Sequence, residues 1–310
     1  MAWTRDDITL RIHDKNAPEI RAAIAERFPD LRFSDGPFET SGLKVLLGFR
    51  PPTDEALESY DWVHAAGAGV DYLCDAITDI DMAPVITRTT GRMGEQIGEY
   101  CLAYALAHLQ KMRWRENLAR DRRWDKQGAV AEQLFDCRVA ILGTGAIGAS
   151  IANIFRSLSA KVLGYSRSGT PREGFDDVMT FADPEGLEQA DIVILALPST
   201  PDTEGVVGAG MLKALNNALL INIGRGATLD SGALRQALAD GNIAAAILDV
   251  FEVEPLPEDD WRWAHPDVTV TPHVSGPTRT VDTIERFCEL LEAYMQSGEP
   301  PASVDVKRGY

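Results

Sequence analysis

The chain is 310 residues long and carries 30 basic against 47 acidic side chains, a formal net charge of −17. That length suits two domains, and the acidic balance excludes a nucleic-acid partner, whose phosphates it would repel. No stretch approaches the roughly 18 consecutive apolar residues of a membrane helix, so no membrane association is expected. The first residues, MAWTRDDITL, lack the basic start and apolar core of an export signal. Cys74, Cys101, Cys137 and Cys288 form no C-x-x-C pair. A reduced cytoplasmic protein with no metal site is the expectation.

Taken in chain order, short apolar runs alternate with amphipathic stretches. Residues 8–13 (ITLRIH) read as a strand, 18–28 as a helix and 44–49 (KVLLGF) as a strand. Residues 52–60 read as helical, 62–67 (WVHAAG) as a strand with a glycine-rich exit, and 84–90 (PVITRTT) as another strand. From Gly94 to about Met112 the pattern predicts one long helix, apolar almost all round. Such a helix is buried between domains or subunits, so a homodimer is expected. A charged segment with tryptophans follows over 113–136.

A second series begins at residue 137. Runs 137–143, 161–166, 191–198, 218–224, 244–250 and 268–273 are short and continuously apolar, as suits parallel strands covered on both faces. A last amphipathic helix spans 281–296. The alternation predicts an α/β chain of two doubly wound parallel-sheet domains. One is a Rossmann cofactor domain over 96–276. The other, flavodoxin-like, takes 1–95 and 277–310 and serves the substrate.

The sharpest local signal is the glycine motif Gly143, Gly145, Gly148, set directly after one strand and at the start of a helix that leads to a second strand. Gly143 makes the tight turn, Gly145 lets a pyrophosphate approach the backbone, and Gly148 lets helix and strand pack closely. The diphosphate then sits at the helix N-terminus, over Ala146 and Ile147. Where an NAD site places an acid on the ribose, at the end of the next strand, this chain has Ser166, Arg167 and Ser168. A carboxylate there would repel a 2′-phosphate, whereas these side chains donate to one. NADP(H) is the expected cofactor, with NAD(H) possible.

Three further motifs close consecutive apolar runs, where open α/β sheets place their ligands. They are INIGRG with Arg225, DVFEVEPLP with Glu254, and TPHVSG with His273. In this order, after a dinucleotide motif, they resemble the D-isomer-specific 2-hydroxyacid dehydrogenase family. Residues 65–73 (AAGAGVDYL) look like its substrate loop, 90–100 like its hinge helix and 197–208 like its cofactor-side loop. The closing residues 308–310 (RGY) are similar to its glyoxylate/hydroxypyruvate reductase branch. The likeness implies an enzyme that reduces a small 2-oxo acid to the D-2-hydroxy acid. His273 would be general acid, Glu254 its partner, and Arg225 the clamp on the substrate carboxylate. Substrate contacts are implied for Ala68, Gly69 and Phe49, and cofactor contacts for Met93, Pro198, Thr203, Ile223, Asp249 and Gly276.

The chemistry accounts for those residue types. Hydride arriving at a carbonyl carbon leaves charge on the oxygen, so a proton donor must stand beside it. A carboxylate on the other ring nitrogen favours the charged imidazole and fixes its orientation. An arginine grips a carboxylate with two coplanar bonds. At 49–52 the chain reads Phe-Arg-Pro-Pro, where that branch tends to carry Trp followed by His and Pro, so the pocket's size is left open. Two other readings stay open at this level. One is a dinucleotide-sensing binding protein of similar sequence. The other is a dehydrogenase of formate or phosphite, disfavoured by Glu254, where formate enzymes tend to carry an amide.

Overall fold

The computed structural model describes residues 7–38, 42–182 and 186–307. The branch-like motif at 308–310 lies outside them. The chain divides into two compact units, Met1–Met93 with Thr278–Tyr310, and Gly94–Pro277.

The first unit runs β1 (Ile8–His13), α1 (Ala17–Arg27), β2 (Arg32–Ser34), β3 (Leu43–Gly48), β4 (Trp62–Ala65), α2 (Asp71–Cys74) and β5 (Val85–Arg88). Its five strands are parallel in the order β2-β1-β3-β4-β5. Both faces are covered, as the apolar runs imply. Along β3, Val45 and Leu47 join a core with Ile20, Ile24 and Phe287, while Leu46 points the other way to Tyr60, Val63 and Leu73.

The second unit contains α3 (Met93–Leu109), α4 (Met112–Arg120), β6 (Arg138–Leu142), α5 (Ala146–Ser157), β7 (Lys161–Ser166), β8 (Asp177–Thr180) and β9 (Ile192–Leu195). It continues with α6 (Ala209–Ala214), β10 (Ala218–Asn222), α7 (Ser231–Asp240), β11 (Ile243–Leu248), α8 (Trp261–Ala264) and β12 (Val268–Val270). Seven parallel strands stand in the order β12-β11-β10-β9-β6-β7-β8. The reversal beside β6 is the topological switch point at which such sheets bind ligands. α9 (Thr280–Ser297) then packs on the first unit's sheet through Phe287, Cys288, Leu291 and Tyr294.

Two expectations need correction. Residues 52–60 form only a 3-10 turn at Leu57–Ser59. Pro51 and Pro52 withhold two amide donors. Arg11 also draws the local acids into tertiary contacts, with Nη2 2.8 Å from Asp54 and Nη1 3.2 Å from Glu55. The long apolar helix stops at Leu109, because Lys111 adopts a left-handed φ of 51° before α4 begins. Within this chain it buries one stripe, Ile97, Gly98, Cys101, Ala105 and Leu109, and leaves Glu95, Glu99 and Leu106 exposed. No helix among the described residues is long and apolar enough to cross a membrane.

Candidate active site

Because every strand of the second unit is parallel, the loops after β6, β9, β10, β11 and β12 all emerge at one edge of the sheet. Nearly all the second unit's predicted site residues lie on these loops or at the end of β7.

After β6, Gly143 takes φ +108°, and a Cβ there would strike the carbonyl of Ala196. A side chain on Gly148 would strike the carbonyl of Gly143. The turn therefore excludes any other residue at both positions. Gly145 caps α5 and has open space where a Cβ would stand. Gly145 and Ala146 are exposed and Ile147 is half-buried, so the helix start is accessible. At the end of β7, the Ser166 hydroxyl accepts from the Gly169 amide (3.1 Å) and the Ser168 hydroxyl meets Thr170 (2.8 Å). Arg167 is exposed, and its Nη1 lies 3.3 Å from a carboxylate oxygen of Asp202. After β9, the Thr203 hydroxyl donates to the Pro198 carbonyl (2.7 Å) and accepts from the Thr200 amide (2.9 Å), which closes that loop on itself.

The loop after β10 is held from inside. The Asn222 side chain accepts from the Gly224 amide (3.2 Å) and donates to the Arg225 carbonyl (3.3 Å). Gly224 and Gly226 press against the backbone at Leu197 and Phe251, where side chains would collide. Arg225, half-buried between them, donates from Nη1 to the Gly224 carbonyl at 2.9 Å. Ile223 is buried and Gly276 half-buried.

Glu254 and His273, 19 positions apart in sequence, are brought together: Nδ1 lies 2.8 Å from Oε2. The other carboxylate oxygen accepts from the Phe251 amide (2.9 Å), so Glu254 is fixed at both ends. Both side chains remain open to water, His273 at 50% and Glu254 at 36% exposure. His273 has φ 53°, a left-handed backbone that is uncommon for a residue with a side chain. Fully buried Asp249 holds the chain in that shape. Its Oδ1 accepts from the Thr271 hydroxyl (2.6 Å) and the Val274 amide (2.9 Å), and its Oδ2 from the Ser275 amide (2.8 Å). Asp249, expected among the cofactor contacts, thus spends its carboxylate on the loop that carries His273.

The remaining candidates belong to the first unit. Phe49 is exposed and stacks on Tyr72 with ring centroids 5.8 Å apart. Ala68 is buried and Gly69 half-buried in the loop leaving β4, and half-buried Met93 opens α3 with its amide on the Thr90 carbonyl (3.0 Å).

With this geometry in place, known proteins supply the decisive match: residues 102–275 fit the family model of the D-isomer specific 2-hydroxyacid dehydrogenase NAD binding domain. The chain belongs to that family. A glyoxylate/hydroxypyruvate reductase A from Serratia proteamaculans is 32% identical over 95% of this chain and 97% of its own. A family member from Xanthobacter autotrophicus Py2, solved in complex with NADPH and MES, superposes with a TM-score of 0.84 at 30% identity, covering 97% of this chain and 99% of that one. An NADPH-dependent glyoxylate/hydroxypyruvate reductase from Sinorhizobium meliloti, in complex with NADP and sulfate, gives 0.81 at 28% identity over 98% and 100%. These relatives place the dehydrogenase with the glyoxylate/hydroxypyruvate reductase A branch.

Two features of the dehydrogenase's site escaped sequence reasoning. Asp202 reaches Arg167 across 35 positions, with no local pattern to announce it. Asn222 had a usable signal, as the one amide inside the apolar run ALLIN. Of the two nearby tryptophans, Trp261 packs against the second unit's core while Trp263 is 52% exposed, its indole N–H on the Pro257 carbonyl (2.9 Å).

Proposed function

We propose that this D-2-hydroxyacid dehydrogenase reduces a small 2-oxo acid, glyoxylate or hydroxypyruvate in the first instance, to the D-2-hydroxy acid with NADPH. The observation that carries the reading is the His273–Glu254 pair at 2.8 Å on the same sheet edge as the glycine motif. The second unit holds the cofactor, and the first presents the substrate loop. The open backbone at Gly145 and the accessible start of α5 suit a dinucleotide diphosphate. Ser166, Arg167 and Ser168 suit a 2′-phosphate, which would take Arg167 over from Asp202.

A nicotinamide held there would supply the hydride that the carbonyl carbon accepts. His273, held through Nδ1 by Glu254, gives its Nε2 proton to the carbonyl oxygen as charge builds there. Glu254 stabilises the imidazolium before transfer and keeps the ring from rotating. Arg225 pairs with the substrate carboxylate, and the amides of Ala68 and Gly69 bind its other side. A second copy of the chain completes a homodimer. Leu106, Met112, Trp114 and Trp124 are exposed on one unit, Trp124 at 96%, and a partner chain would cover such apolar side chains.

The test is steady-state oxidation of NADPH and NADH against a panel of 2-oxo acids, with formate and phosphite oxidation as controls. We expect kcat/KM to favour NADPH by about 10- to 100-fold, the range that one or two charge-assisted bonds supply. A Ser166→Asp, Arg167→Ala double variant should favour NADH instead. Equal use of both cofactors by the wild type removes the phosphate assignment, and turnover confined to formate or phosphite removes the oxo-acid reading.

A further inference from the structure

The loop leaving β4 shows a one-sided pattern of hydrogen bonding. Its carbonyls are held: the Thr283 hydroxyl donates to the Ala66 carbonyl (3.1 Å), and Arg88 Nη1 donates to the Ala68 carbonyl (3.2 Å). Its amides are not. Among the described residues, the N–H groups of Gly67, Ala68 and Gly69 reach no protein acceptor, although Ala68 is buried. Buried amides without partners are rare, and a run of them forms a concave anion site.

Arg88 is itself out of the ordinary. It ends β5, opposite Ala65 in the ladder, and the Thr89 amide bonds the Ala65 carbonyl at 3.0 Å. Its guanidinium is half-buried, and that burial holds its pKa below the usual arginine value. In a chain with 47 acidic side chains, Arg88 makes no ion pair among the described residues. A partly desolvated cation spent on one backbone carbonyl costs stability, which points to a role other than folding.

We propose that Arg88 is the positioning residue of the substrate loop: by holding the Ala68 carbonyl, it turns the Gly69 N–H toward the substrate carboxylate. The Ala68–Gly69 peptide is trans and planar, so its carbonyl and N–H point to opposite sides. Fixing one fixes the other. A cationic donor on the carbonyl also polarises the amide, which makes its N–H a stronger donor. Arg88 acts through the backbone and does not itself touch substrate. The inference rests on the reading that this loop takes a carboxylate.

The experiment measures kcat and KM for glyoxylate, together with NADPH Kd by fluorescence titration, in Arg88→Met and Arg88→Lys. Lost ground-state binding raises KM and spares kcat. Arg88→Met should raise KM about tenfold with kcat within twofold and NADPH Kd unchanged. Arg88→Lys, which keeps a charged donor, should recover most of the loss. If Arg88→Met does not fold, Arg88→Gln decides, with an expected rise of about threefold. A KM within twofold of wild type in either neutral variant overturns the proposal, as does a joint loss of kcat and NADPH binding. A wild type that turns over no 2-oxo acid would remove the underlying reading. Normal wild-type turnover with an unmoved KM in Arg88→Met would remove only this one.

Discussion

Two histidines, one in each unit, show how far environment governs the same ring. His64 is fully buried on β4, with Nδ1 2.7 Å from the Thr87 hydroxyl and Nε2 3.0 Å from the Thr89 hydroxyl. Thr87 also accepts from the Trp62 indole (2.8 Å). The arrangement that uses each polar atom once has Thr87 donating to Nδ1 and the ring's proton on Nε2, facing Thr89. The neutral ring is fully satisfied, and burial, helped by the charge of Arg286, pushes its pKa down to about 3. His273 faces water and a carboxylate instead. Hydroxyl partners and burial make His64 a fixed, neutral strut, whereas His273 stands half open to solvent with one carboxylate partner.

The largest effect should come from breaking the working member of the pair. His273→Asn is expected to lower kcat for 2-oxo acid reduction by about 10²–10⁴-fold, the usual worth of a general acid, with NADPH Kd within twofold. Stopped-flow hydride transfer and fluorescence titration measure the two. Near-normal turnover would place the proton donor elsewhere.

Removing what distinguishes His273 from His64 should sharpen the contrast. Glu254→Gln keeps a hydrogen bond to Nδ1 but removes the charged anchor that holds the ring. Its kcat for 2-oxo acid reduction should fall, by less than in His273→Asn, while NADPH binding is unmoved in the same titration. A kcat equal to wild type would count against the pairing.

The smallest effect is on stability and belongs to His64. Its folded pKa lies below the value of 6.5 for a free ring, so between about pH 6.5 and pH 3 the unfolded chain binds the extra proton. Stability is therefore lost as pH falls through that window, by about 1.4 kcal/mol per pH unit for one such group. Urea unfolding from pH 7 to pH 5 should show this slope, and His64→Gln should flatten it. An unchanged slope would mean that other groups govern acid sensitivity.

How much of this was legible in the sequence depends on the range of the interactions. Central strands such as ALLIN at β10 read plainly, because burial on both faces makes the run itself apolar. The edge strands β2 (RFS) and β8 (DVMT) went unseen, being three and four residues long without an apolar run. Residues 52–60 misread because Arg11, more than 40 positions away, decides what Asp54 and Glu55 do. At the candidate site, residue types and order pointed to Arg225, Glu254 and His273, and the fold brings the last two within 2.8 Å of each other. The supporting roles, of Asp249 beneath the His273 loop and of Arg88 behind Ala68, stayed hidden because any residue can carry the carbonyl or amide that such side chains hold.

The left-handed backbone at His273 sets evolution two opposing demands. A histidine in that conformation costs on the order of 1 kcal/mol against glycine, which adopts it readily. A His273→Gly variant should accordingly melt no lower than wild type while having lost turnover. A lineage released from selection for catalysis would drift at this codon toward a sturdier, inactive protein. A screen for thermostability alone would find the same substitution and discard the enzyme.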